Sequence, residues 1–235
     1  MIMTETLTPD ANVVAVDVSP TTAYIARVYR DGRTPDVEQI VFAELDDAKD
    51  SNLTRAGQIA EENATRVVKA ILAVDPFPSM VVMHKLLLFD AKQDPSGPRR
   101  SALWWGITQK LIELSLPVAE VAPMTAQKMI TGRGLPGRAG FTDSERGVYA
   151  MYPELRKIAR FRYYVVAEAI TGAVALGWST PAIVDSAKLR GLTSVAGSFP
   201  MEVPATVAGW DALNSKHIDA YDYPRNTNTN TQKGA

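Results

Sequence analysis

The chain has 235 residues, 46% hydrophobic and 22% charged, with a formal net charge of −1 and no cysteine. That is the ordinary composition of a soluble globular protein, and the missing cysteine excludes disulfides, thiolate nucleophiles and cysteine-type zinc sites. No apolar run reaches the length of a membrane span, and the opening MIMTETLTPD lacks the basic and apolar regions of a signal peptide. The cytoplasm is the expected compartment, with no membrane partner.

The first strands are expected at Asn12–Ser19, Ala23–Arg30 and Val37–Glu44, the second of them half-exposed because it mixes apolar and basic residues. The connectors Pro20-Thr21-Thr22 and Asp31-Gly32-Arg33 are short and rich in turn formers, so the three strands form an antiparallel meander. Arg55–Val74 carries apolar residues at a 3.6 period and reads as a helix stopped by Pro76 and Pro78. A buried strand, Ser79–His84, follows. Ser101–Leu116 is expected to be an amphipathic helix with Leu103, Trp104, Ile107, Leu111 and Leu114 on or near one stripe. Val118–Ala122 is a fifth strand and Thr125–Ile130 a short helix.

Thr131–Phe141, with four glycines and a proline, reads as a flexible loop. Asp143–Tyr152 and Phe161–Gly177 read as helices. Beyond residue 178 the periodicity is poor, and RNTNTNTQKGA at the end is low-complexity and polar. The expected layout is a leader at 1–11, a domain at 12–178, an extension at 179–224 and a disordered tail at 225–235. A meander followed by alternating helices and strands predicts a mixed five-stranded sheet with helices on both faces, the order of the ribonuclease H-like fold.

Three residues stand out chemically. Asp17 interrupts the apolar run Val13–Val18; a buried carboxylate there needs a metal, a partner or the Ser19-Pro20 turn to offset its desolvation. Glu168 lies in the apolar helix VVAEAI, where it either pairs with a basic group or faces a site, with Gly172 one turn on leaving open space beside it. Facing Asp17, it would form a divalent-metal site of the kind that hydrolyses phosphodiesters. His84 ends the fourth strand beside Lys85, as a structural residue or a metal ligand. Residues 128–162 carry 8 Lys/Arg against 3 Asp/Glu, either a solvated helix surface or an anion-binding face.

SALWWGITQKLIELSLPVAEVAPMTAQKMITGRG (residues 101–134), the opening Val13–Ser19 and Ala167-Glu168-Ala169 followed by Gly177 resemble RuvC-type Holliday junction resolvases of the kind carried by actinobacterial phages. The resemblance spans about residues 12–178. It implies a dimer that cleaves branched DNA with Mg²⁺ (or Mn²⁺), using one acid on the first strand, one on the fourth and two on the closing helix. Asp17 matches the first. His84 stands where the second is expected, Glu168 where an Asp is usual, and Val166 at the neighbouring acid's place. Asp90 could replace the second acid only if the strand shifts register.

Two functions follow. One is a metal-dependent endonuclease in which Asp17 and Glu168 hold the ion, His84 assists, and Lys128, Arg133, Arg138 and Arg146 contact phosphates. The other is a catalytically inactive pseudonuclease acting in binding or assembly, with Trp104 and Trp105 at a dimer or partner interface; otherwise one of that pair is core and the other surface. A third, ATP-dependent actin-like domain would need glycine-rich phosphate loops, which Asp17–Thr22 lacks.

Overall fold

The computed structural model describes residues 10–42, 53–87, 94, 96–157, 161–192, 196–198 and 203–218. Asp90, the first nine residues and the tail at 225–235 lie outside them.

The meander forms as the short connectors require. Strands β1 (Asn12–Val18), β2 (Thr22–Tyr29) and β3 (Asp36–Val41) pair antiparallel. Helix α1 (Leu53–Ile71) then crosses over to β4 (Met80–His84), which pairs parallel to β1. Helix α2 (Gly97–Glu113) crosses to β5 (Val118–Val121), parallel to β4. A two-residue strand, β6 (Ala196–Gly197), adds antiparallel to β5, so the order is β3-β2-β1-β4-β5-β6. The sheet is the expected five-stranded mixed arrangement with one short addition. Parallel pairs need helical crossovers and antiparallel ones only turns, which is why connector length reports the topology.

Strand alternation splits the core. Val14, Val16, Val81 and Met83 face α1 and α2 with Ile71, Ile107 and Leu111. Val13, Ala15, Met80 and Val82 face the other layer, built by α3 (Pro123–Thr131), α4 (Gly137–Met151) and α5 (Tyr164–Ala175). The element order and this two-sided covering make the chain a ribonuclease H-like α/β fold.

Three expectations need correction. β2 is buried along its whole length rather than half-exposed. Its Arg27 is accommodated because Nη1 donates to Asn12 Oδ1 at 2.6 Å and Nη2 to the Ile71 carbonyl at 2.9 Å, satisfying the open end of α1. Residues 137–141 are the first turn of α4, not loop. Gly140 permits this: a Cβ there would sit 2.2 Å from the Leu135 carbonyl oxygen, so only glycine lets the approaching chain fold back on the helix. The region after residue 178 is also more regular than its periodicity suggests. It holds α6 (Ser186–Leu192) and α7 (Val207–Ile218). Leu189, Leu192 and Trp210 join the α5-side core, and Trp210 Nε1 donates to the Val174 carbonyl at 2.9 Å. Among the described residues, no helix is long and apolar enough to cross a membrane.

Candidate functional site

The site lies at the C-terminal ends of β1 and β4. Register sets Val16 beside Met83, so Asp17 and His84 follow at neighbouring positions. Both belong to the alternation series that faces α5. Glu168 comes down from that helix and is fully buried, 0% exposed; Asp17 is 5% exposed. The three candidate residues are thus brought together by one register and one packed helix.

Gly172 does not leave space beside Glu168. A Cβ there would sit 2.5 Å from Val82 Cγ2, 2.9 Å from Met80 Cε and 3.0 Å from Val13 Cγ1. Its role is to let α5 close directly onto β1 and β4, which drives Glu168 into the site.

Each carboxylate is already partnered. His84 Nδ1 lies 2.5 Å from Glu168 Oε1. Arg162 Nη1 donates to Asp17 Oδ2 at 3.0 Å, and the Tyr164 hydroxyl donates to the same oxygen at 2.5 Å. Arg162 Nη1 also reaches the Tyr164 oxygen at 3.1 Å, and its guanidinium stands 4.8 Å from the centre of the Tyr24 ring. Tyr24 is Asp17's register partner on β2. A second layer holds the cluster: Trp104 Nε1 donates to the His84 carbonyl at 2.8 Å, and the Phe141 ring packs 4.5 Å from Tyr164.

The electrostatics follow. Burial opposes charge on His84, but Glu168, Asp17 and the hydrogen bond to Glu168 outweigh it, and its pKa is raised to about 9. Burial also raises Glu168, against the pull of His84. Both shifts favour a proton held between Nδ1 and Oε1 through neutral pH. Burial, and then the Asp17 charge, push the Tyr164 hydroxyl well above its ordinary range, so it stays a donor. With Arg162 beside Asp17, the two carboxylates face two cationic groups of the chain's own.

The sequence resemblance to RuvC-type resolvases implies a divalent metal here, and the residues present do not fit one. Mg²⁺ needs several free oxygen ligands. Asp17 Oδ2 is taken by Arg162 and Tyr164, and Glu168 Oε1 by His84. Among the described residues, no three His, Asp or Glu side chains are gathered to hold one ion. Glu168 Oε2 is buried without a hydrogen-bond partner. The cavity that Glu168 lines with Gln127, Ser144 and Tyr164 is about 20 Å³. That is room for one water and not for a hydrated cation with its substrate.

Arg162 and Tyr164 are the residues that sequence reasoning missed. Tyr164 stands one helical turn before Glu168, on the same face. Arg162 lies inside the basic stretch already noted, and nothing local in the sequence marks it as Asp17's partner.

Beside this cluster runs a basic cleft of about 430 Å³, lined by Arg133, Leu135, Arg138, Ala139, Thr142, Asp143 and Arg146. Leu135 also borders the cavity at Glu168. Arg138, Thr142 and Arg146 recur every four residues of α4 and so share one face. Arg133 is spent on Asp143, through Nη2 to Oδ1 at 2.6 Å and Nε to Oδ2 at 3.1 Å. That contact first, and the charge behind it, hold the Asp143 carboxyl below its ordinary value. The cleft collects three of the four predicted phosphate contacts. Lys128 is exposed on α3 and does not line it. Trp104 is buried at 7% exposure, and Trp105 stands out at 59%, their rings edge to face at 4.8 Å.

The class the fold defines is a ribonuclease H-like α/β domain. No family model matches the chain, and no curated protein matches it. Among solved structures it is similar to Thermus thermophilus RuvC, at 16% identity and TM-score 0.49, covering 69% of this chain and 93% of that one. It is similar also to T. thermophilus RuvC in complex with Holliday junction substrate, at 17% identity, the same TM-score and the same coverage. The likeness concerns the path of the backbone; the chemistry follows from this chain's own side chains.

Proposed function

We propose that this chain is a RuvC-like pseudonuclease: a ribonuclease H-like domain that binds branched DNA without cutting it. One observation carries the proposal. Asp17 is held by Arg162 and Tyr164, and Glu168 by His84, so the two acids are neutralised from within. Phosphodiester hydrolysis by two metals needs carboxylates free to bind cations and a negative site to concentrate them. The α4 cleft supplies what binding needs instead. Arg138 and Arg146 present cationic groups at helical spacing beside the acid cluster, suited to a phosphate backbone.

The test is a labelled four-way junction incubated with the protein in Mg²⁺ or Mn²⁺, alongside an Asp17→Asn variant, with binding measured in the same buffers. Expected are a retarded complex and uncut DNA for both proteins. Cleavage by the wild type that vanishes in Asp17→Asn overturns the proposal. It would establish the second reading, an endonuclease with an altered acid set, which the unpartnered Glu168 Oε2 favours. Loss of junction binding along with cleavage would leave an assembly role and direct attention to exposed Trp105.

A further inference from the structure

The same site assigns a specific job to a residue outside the acid pattern. We propose that the Arg162 guanidinium takes the place of a divalent cation at Asp17, a tethered positive charge that makes the domain independent of metal and masks a latent cation site. The inference deepens the non-cleaving reading and rests on it.

The geometry carries the argument. Asp17 faces the sheet side where Glu168 descends, and both are buried. Two buried carboxylates in one site repel, and each pays a desolvation cost, so the fold needs positive charge between or beside them. His84 answers Glu168 from the neighbouring strand. Among the described residues the ion-pair partner of Asp17 is Arg162, with Tyr164 donating a neutral hydrogen bond and the His84 charge acting on Asp17 without touching it. Arg162 enters from the segment just before α5, and its side chain is 45% exposed, so it covers the mouth of the site rather than filling its floor. Tyr24 below and Tyr164 beside it fix the guanidinium plane. Withdrawing that side chain would expose Asp17 Oδ2 to solvent from the side Arg162 now covers, while leaving the strands and α5 in place. Only in a chain without that guanidinium would a solvated divalent ion reach Asp17, with water supplying the ligands that the described side chains do not. Glu168 stays with His84 and acts on that ion only through its charge.

The experiment uses the full chain. Mn²⁺ binding is followed by loss of the free-ion electron paramagnetic resonance signal, and melting temperature is recorded with and without Mn²⁺. The proteins are wild type, Arg162→Gln, Arg162→Lys and the double variant Arg162→Gln with Asp17→Asn. Expected is no saturable Mn²⁺ binding and no Mn²⁺-dependent stabilisation for wild type or Arg162→Lys. Arg162→Gln should bind Mn²⁺ at least about tenfold more tightly than wild type and melt higher in its presence. The double variant should lose both gains. Wild type binding Mn²⁺ as tightly as Arg162→Gln overturns the proposal. So does a folded Arg162→Gln that gains no Mn²⁺ affinity, or one that fails to fold with and without the ion, since a cation then cannot replace the guanidinium. Junction cleavage is scored separately. Cleavage by wild type defeats the non-cleaving reading, whereas an absent Mn²⁺ site in Arg162→Gln defeats only the role given to Arg162.

Discussion

His84 Nδ1 lies 2.5 Å from Glu168 Oε1, joining the end of β4 to the middle of α5 across the buried side of the sheet. The contact makes stability depend on pH. The His84 pKa is raised from 6.5 to about 9, so its contribution is full below pH 6.5 and is lost as pH rises through about 9. Glu168 is raised as well, which has the same sign: the folded state holds its proton better than the unfolded chain. The expected result is a stability that declines between about pH 6.5 and 9 by on the order of 1–3 kcal/mol in total, seen as a falling melting temperature. Melts across that range would read it. A flat profile in wild type, or an unchanged slope in His84→Ala, contradicts the pairing.

Gly172 sets how close α5 comes to the sheet. Gly172→Ala places a methyl 2.5 Å from Val82 Cγ2 and 2.9 Å from Met80 Cε, in a region with no slack. We expect a loss of about 1–3 kcal/mol from overpacking, although alanine is otherwise the better helix former. Denaturant titration measures it; neutral or positive ΔΔG would mean that α5 can lift away from β1 and β4.

Arg138 and Arg146 are expected to carry phosphate contacts, and Arg133 less, because Asp143 already engages it at two atoms. Replacing Arg138 or Arg146 by Ala should weaken junction binding and reduce the slope of log K against log salt by about 1 each. Arg133→Ala should change the slope less. Equal effects for all three, or none, would remove the cleft from the binding account.

Trp104 and Trp105 are adjacent in sequence and opposite in consequence. Trp104 is buried and bonded to the His84 carbonyl, so Trp104→Ala should cost about 3–5 kcal/mol. Trp105 is exposed at 59%, and Trp105→Ser should stay within about 0.5 kcal/mol of wild type. If Trp105 serves a dimer or another protein, sedimentation or a pull-down with that partner would change while the melting temperature does not. A large loss of stability in Trp105→Ser would instead place it in the core.

The sheet was legible in the chain because its causes are local. Short turn-rich connectors make the meander, period-3.6 runs make the crossovers, and apolar strand runs mark both-sided burial. Asp17, Glu168 and His84 stood out for the same reason, as polar residues inside apolar segments. The partners of those residues were not legible. Arg162 meets Asp17 over 145 positions, and Trp210 reaches Val174 from beyond the periodic part of the chain. A glycine before an unknown neighbour reads equally as open space or as close contact, and at Gly172 only the packed sheet decided for contact. Sequence by itself determined that Asp17 and Glu168, each set in an apolar segment, must find a partner, because desolvation is a property of the residue and its segment; it did not do so for Arg27, whose strand reads as half-exposed. Tertiary structure alone decided what that partner is, because pairing energy depends on distances of a few ångströms between segments far apart in the chain.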